Sequence, residues 1–320
     1  MADGTKIEWT DATWNPITGC SVLSAGCKHC YAMKLAGTRM KHHESRKGLT
    51  IDTKAGPVWN GIVRFNDQWL SQPLAWSKAR MIFVNAHGDT FHHDVPDAWI
   101  DQILAVAALA RQHVFQVLTK RGDRMRAYFA DPAWKERVLA WVPVLAPSAQ
   151  WNGNVFQARH ELETRGYLPN VWLGVSVEDQ DNTHRLDDLR ETAAAVRWVS
   201  CEPLLGELDL TPWLDFLGWV VVGGESDKGP RARPMHPGWA DGLLIQCLAH
   251  DVPFLFKQWG DWHPFTSDDL LARDTSKPMP AIDVVFERSG KTGHAVHMWR
   301  IGKDKAGRLL GGRAYDGLPA

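Results

Sequence analysis

Three of the chain's five cysteines, Cys20, Cys27 and Cys30, fall within the short stretch WNPITGCSVLSAGCKHCYAMK (14–34). Thiols gathered at C-x6-C-x2-C spacing can close disulfides, hold zinc, or ligate an iron–sulfur cluster. The cysteine count is odd, and the opening residues MADGTKIEW lack the charged start and apolar core of a signal peptide. Both facts argue against a disulfide framework. Structural zinc generally takes four closed ligands, often from two paired knuckles. Here there is one C-x2-C pair and a single cysteine, with His29, His42 or His43 available as a fourth ligand. Three thiolates on one loop also suit a 4Fe–4S cluster that keeps one iron open for a substrate or cofactor. On the residues alone, both metal readings stand.

Such a loop needs elements to aim it. After it, apolar runs alternate with helical patterns: MIFVNAHGD (81–89), HVFQVLTKR (113–121), VWLGVSVED (171–179), VRWVSCEP (196–203), WVVVGGES (219–226) and PFLFKQWG (253–260). Near-continuous Val, Ile, Phe and Leu suits strands covered on both faces, as in a parallel sheet. Between them, segments 96–112, 123–142, 181–195 and 236–251 have helical spacing, with Pro96 in a first turn and Asp181 or Asn182 as a cap. Counting a strand just before Cys20, the pattern predicts an α/β fold of roughly seven strands, a partial or full parallel (β/α) barrel. The barrel spans residues 1–260, with Gly-, Pro- and Asn-rich insertions at 43–66 and 143–170. From 261 to 320 the periodicity changes. There AIDVVFERSGKTGHAVHMWRIGKDKAGRLLGG predicts a hairpin and a basic tail, a C-terminal β-rich extension packed on the barrel.

Polar and small residues crowd the ends of these runs: Asn85, His87 and Asp89, then Thr119 and Lys120, then Ser176 and Glu178. The series continues with Ser200, Cys201 and Glu202, then Gly223, Gly224 and Glu225, then Lys257 and Gln258. In a parallel barrel those ends share the face that carries chemistry, so one composite site is expected. Ser176 and Glu178 lie two apart on a strand and face the same side. The Gly223–Gly224 turn allows close backbone approach to a ligand, with Arg231 or Arg233 at hand for a carboxylate or phosphate. Lys120, Arg121 and Lys257 are candidates for anionic substrate groups, against the plainer reading of solvated surface cations. His87, His92, His93 and Asp94 form a rival metal site by composition, without the i, i+4 spacing of a helix-borne pair.

The formal net charge of −1 excludes a global field for a polyanion, so any nucleic-acid contact must come from local patches. Two exist, Lys34, Arg39, Lys41, Arg46 and Lys47 after the thiol loop, and Lys120, Arg121, Arg124 and Arg126 after the third run. No apolar run approaches the roughly 20 residues needed to span a bilayer, so no membrane partner is expected and the chain reads as cytoplasmic. Most of the 17 tryptophans read as core, with a few available to stack on a flat ligand.

The loop GCSVLSAGCKHCYA resembles that of the radical SAM superfamily, whose signature C-x3-C-x2-C follows the first strand of a partial barrel; here the first gap holds three extra residues. WNPITGC and GCKHCYA are similar to the spore-photoproduct-lyase-like branch and to an uncharacterised phage and bacterial family. FVNAHGDTFHHDVP, QVLTKR, WLGVSVEDQ, CEPLLG, VVVGGESD and GKDKAGRLLGGRAYDGLP extend the second likeness over nearly the whole chain. The resemblance implies a barrel of the radical SAM type and Cys20, Cys27 and Cys30 as ligands of a 4Fe–4S cluster. It implies S-adenosyl-L-methionine at the open iron, cleaved reductively to methionine and a 5'-deoxyadenosyl radical that abstracts hydrogen. An external electron donor of flavodoxin or ferredoxin type is expected. Asn85 and Asp89 are the expected partners of the cofactor's amino end, with Ser176, Glu178, Glu202, Gly223, Gly224, Glu225 and Arg233 completing the cofactor-binding set. Cys201 becomes a candidate hydrogen-atom donor, with inert packing as its alternative, and Cys247 reads as core. The expected substrate is a nucleic-acid base, in lesion repair such as photoproduct reversal or in base modification, with DNA or RNA as partner. Two other readings remain: a zinc-stabilised α/β barrel that binds nucleic acid without catalysis, and a metal-dependent hydrolase.

Overall fold

The apolar runs form strands Ala12–Trp14 (β1), Met81–Val84 (β2), Val114–Thr119 (β3), Val171–Ser176 (β4), Val196–Cys201 (β5), Trp219–Gly223 (β6) and Phe254–Gln258 (β7). They are seen in a computed structural model that describes residues 4–5, 7–146, 148, 151–227, 231–264 and 296–319. The seven strands follow one another in sequence order within one sheet. The pairings β1–β2, β2–β3, β3–β4 and β6–β7 are parallel. Helices fill the connections, giving a mixed α/β fold with the strand order of a partial β/α barrel. Among the described residues no helix is long and apolar enough to cross a membrane.

The chain divides into two compact units. The first comprises Met1–Ser176, Thr183–Val199 and Phe216–Gly218, and holds β1 to β4. Its helices are Tyr31–Gly37 (α1), Asp97–Leu109 (α2), Gly122–Ala130 (α3), Trp134–Leu145 (α4), Asn152–Thr164 (α5) and His184–Arg190 (α6). The run Ile103 to Leu109 of α2 is buried throughout, and buried Asp101 beside it accepts hydrogen bonds from the Tyr128 hydroxyl at 2.6 Å and Arg137 Nε at 3.1 Å. A buried carboxylate is tolerated only with partners of this kind.

Where one helix was expected over 123–142, two form. Pro132 lacks the N–H a continuing helix needs, and the Asp131 side chain instead accepts the Ala133 N–H at 2.9 Å. Segment 143–170, read as an insertion, contains α5, whose Ala158 and Leu162 are buried. Segment 43–66 contains the antiparallel hairpin Thr50–Thr53 and Gly56–Trp59. Trp59 is buried against Ala32, Met33 and Ala36 of α1 and against Leu49, so the hairpin braces the helix that follows the thiol loop.

The second unit comprises Val177–Asn182, Ser200–Asp215 and Trp219–Ala320, and holds β6, β7 and the helix Pro237–Ala249 (α7). All five residues of β6 are buried, as its Val-rich sequence requires. His236 caps α7 through Nδ1, which accepts the Gly238 N–H at 3.0 Å, and Pro237 occupies the first turn. Trp262–Pro264 pairs antiparallel with Met298–Arg300. The outer edge of β7 is met by the C-terminal segment: Phe256 N–H donates to Tyr315 O and Gly317 N–H to Phe254 O, both at 3.0 Å. Residues 281–295 of the expected hairpin lie outside the described residues.

Candidate functional site

Beyond β1 the backbone runs on beside the end of β2 and is pinned there by asparagines. Asn85 N–H donates to Trp14 O at 2.7 Å, and its side-chain oxygen accepts the Ile17 N–H at 2.8 Å. Asn15 in turn accepts the His87 N–H at 3.0 Å. Asn85 adopts φ 55, a left-handed conformation that asparagine tolerates better than most side chains. Gly19 donates its N–H to His87 O at 3.1 Å and sits at φ 95, where a Cβ would lie 2.2 Å from the Ile62 carbonyl oxygen. Only glycine fits immediately before Cys20.

The three thiols of the loop are partly exposed and none is in a disulfide. Cys30 stands at the N-terminus of α1, where the backbone N–H groups of Met33 and Ala32 and the Trp59 side chain favour its thiolate. Burial pushes the Cys30 thiol up, and these helix N–H groups oppose the rise. Burial, then the Asp89 carboxylate, push Cys20 up to about 12, with the Arg121 guanidinium opposing and the Cys30 and Cys27 thiolates adding to the rise. Cys20 and Cys30 therefore both resist ionisation, and a cationic occupant is what would draw their protons off. Three unbridged thiols on one loop are a donor set of the chemical type that soft metals take, iron–sulfur clusters and zinc alike. Among the described residues no three His, Cys, Asp or Glu side chains are gathered as one metal ion requires.

Arg121 ties this loop to β2 and β3. Its Nη1 donates to Asp89 Oδ2 at 2.8 Å and to Cys20 Sγ at 3.6 Å, and its Nη2 donates to Ser21 Oγ at 2.7 Å and Ser21 O at 3.2 Å. Asp89 Oδ1 accepts the Thr119 hydroxyl at 2.7 Å and the Phe91 N–H at 2.9 Å. Ser21 Oγ also meets His92 Nε2 at 2.9 Å. Asp89, expected at the cofactor's amino end, thus has both oxygens engaged by protein donors, and Arg121, expected on substrate, is engaged with Asp89 and the thiol loop.

A second buried cation lies nearby. The Arg46 guanidinium bonds to Ser45 Oγ at 2.7 Å and to His87 Nδ1 at 2.5 Å. Burial, then Arg46, hold His87 down at about 4, so it is neutral near pH 7 and accepts from the guanidinium. The Tyr31 hydroxyl, one residue past Cys30, donates to Ala86 O at 2.7 Å and fastens the start of α1 to the end of β2.

Of the other residues expected in the first unit, Lys120 Nζ donates to Ser176 Oγ at 2.6 Å. The rival metal set does not converge: His92 is buried with Nδ1 accepting the Asp94 N–H at 3.2 Å, while His93 and Asp94 are exposed. In the second unit, Glu202 accepts from Lys257 Nζ at 2.6 Å, and the Glu225 carboxylate accepts Arg233 N–H at 2.8 Å and Arg233 Nε at 2.9 Å. Gly224 packs against backbone, since a Cβ there would lie 2.0 Å from Trp259 O, whereas a Cβ at Gly223 would meet Glu202 at an ordinary 3.5 Å. Glu178 and Cys201 are fully buried, and burial pushes Cys247 up to about 12.

The family described as "Protein of unknown function (DUF5131)" matches residues 4–319. The chain belongs to this family. No curated protein and no solved structure matches the chain. In this DUF5131 chain the first unit brings together Cys20, Cys27, Cys30, Asn85, Asp89 and Arg121. Sequence reasoning missed Ser21, which bridges Arg121 and His92, and the pairing of Arg46 with His87. A serine beside the first cysteine carries no pattern of its own, and Arg46 was legible only as one cation in a basic run.

Proposed function

We propose that this DUF5131 chain is a radical SAM enzyme that cleaves S-adenosyl-L-methionine reductively and starts hydrogen abstraction from a nucleic-acid base. One observation carries the reading: three unbridged thiols on the loop after the first parallel strand, the last of them seated at the N-terminus of α1. A 4Fe–4S cluster with one open iron would supply one-electron cleavage of the sulfonium. Cys20, Cys27 and Cys30 would hold the other three irons. Asn85 and Gly19 fix the loop that carries them, and Tyr31 fixes the helix behind them. The α1 N-terminus and Arg121 oppose the negative charge that three thiolates bring together. Lys28, Arg39 and Lys47 are exposed in the same segment and support phosphate contact with DNA or RNA. The fully buried Cys201 is the candidate hydrogen-atom donor of the second unit. Electrons would come from an external flavodoxin- or ferredoxin-type protein.

The test is anaerobic purification and reconstitution. The expected product is a brown protein with four irons per chain that forms 5'-deoxyadenosine from S-adenosyl-L-methionine under reduction, with colour and iron lost in Cys27→Ala. Stoichiometric zinc in place of iron, or iron-loaded protein that forms no 5'-deoxyadenosine, sinks the proposal.

A further inference from the structure

We infer that Arg121 is the positioning residue of the thiol loop: its guanidinium holds the Cys20 sulfur in place for iron and raises the reduction potential of the cluster bound there. The inference rests on the cluster reading of the three cysteines. Arg121 and Asp89 are buried together, with side chains 3% and 8% exposed. The guanidinium lies among three loops at once, taking Asp89 from the end of β2, Cys20 and Ser21 from the end of β1, and its own place just past β3. Its position is fixed from behind as well, because its backbone N–H donates to Thr119 Oγ1 at 2.9 Å and that hydroxyl donates to Asp89. Planar, two-pronged donation of this kind is what arginine does and lysine does not.

Cys20 is the member of the trio that most needs such help. It is separated from Cys27 by the long gap of the motif and lies before α1, so the helix N–H groups that serve Cys30 do not serve it. A ligand sulfur that accepts an N–H bond from a cation donates less electron density to its iron, and hydrogen bonds to ligand sulfurs are among the determinants of cluster potential. One further donor, Nε, is buried and makes no hydrogen bond among the described residues. A buried donor without an acceptor is unfavourable, so the surroundings of this guanidinium are incomplete without an occupant.

The test compares reconstituted wild type, R121K and R121Q for iron content and for midpoint potential by EPR-monitored redox titration. R121K is expected to keep wild-type iron with a lowered potential. R121Q, which loses the charge as well as the fork, is expected to show a larger downward shift. A purely structural role would change stability and iron uptake without moving the potential of the protein that does load. Full iron and one shared potential in all three chains overturn the inference. If R121Q takes up no iron, the difference between R121K and wild type decides: a lower potential supports the inference and an equal one overturns it. Wild type without iron overturns the cluster reading and this inference with it, an outcome distinct from a wild type that loads while its variants match it.

Discussion

Replacing Asp89 by Asn isolates the buried ion pair behind the thiol loop. The asparagine keeps an oxygen for the Thr119 hydroxyl and the Phe91 N–H, at 2.7 and 2.9 Å in the native chain. Its amide nitrogen then faces Arg121 Nη1 across the 2.8 Å that the native pair spans, donor against donor. With side chains 3% and 8% exposed, neither partner can turn to water. Removing one member of a buried pair costs about 3–5 kcal/mol, chiefly because the other charge is left uncompensated. Urea unfolding of the metal-free chain should therefore show a lower midpoint for Asp89→Asn. The double variant Asp89→Asn/Arg121→Met should be more stable than the single one, since it removes the stranded charge. A single-variant loss of no more than about 1 kcal/mol, the size expected of an exposed pair, would refute the argument. So would a double variant less stable than Asp89→Asn alone.

Three further outcomes follow from the same region and are open to simple measurement. Folding lowers His87 from its ordinary 6.5 to about 4, so between those values the unfolded chain binds a proton that the folded chain does not. Its contribution is complete above pH 6.5 and is lost as pH falls toward 4, about 3 kcal/mol in all, and His87→Gln should remove that slope from a pH series of urea midpoints. Gly19→Ala forces a side chain into φ 95 and against a backbone oxygen at 2.2 Å. Left-handed strain alone costs about 1–2 kcal/mol, so both the urea midpoint and iron uptake should fall. Tyr31→Phe removes the hydroxyl bond to Ala86 O, about 1 kcal/mol, and should leave iron content unchanged.

The strands were legible because their apolar runs are nearly unbroken. Residues 219–223 can hardly be anything but a strand covered on both faces, and all five are buried. The thiol loop was legible because three cysteines in so short a span need a reason. The helix break at Pro132 was missed because the apolar spacing carries on across it, although a proline inside a helical pattern is itself a warning. The helix α5 was missed because its face is weakly apolar; NGNVFQARHELET offers few large side chains to a periodicity argument. The interior of the site was the least legible part. Arg121 stands 100 positions from Ser21 and 32 from Asp89, and nothing local in the sequence says that one guanidinium will join them. Polar residues at strand ends could be recognised as a group, but which of them face a ligand and which bond to one another is decided by tertiary geometry.

The strand Phe254–Gln258 is completed on its outer side by Tyr315 and Gly317. During synthesis it must wait for them. Roughly sixty residues at about 5–20 per second leaves that margin bare for some seconds, adhesive toward any other extended polypeptide in the vicinity. A clipped or bulky tail would make the wait permanent, so recombinant production should favour a handle at the opposite terminus.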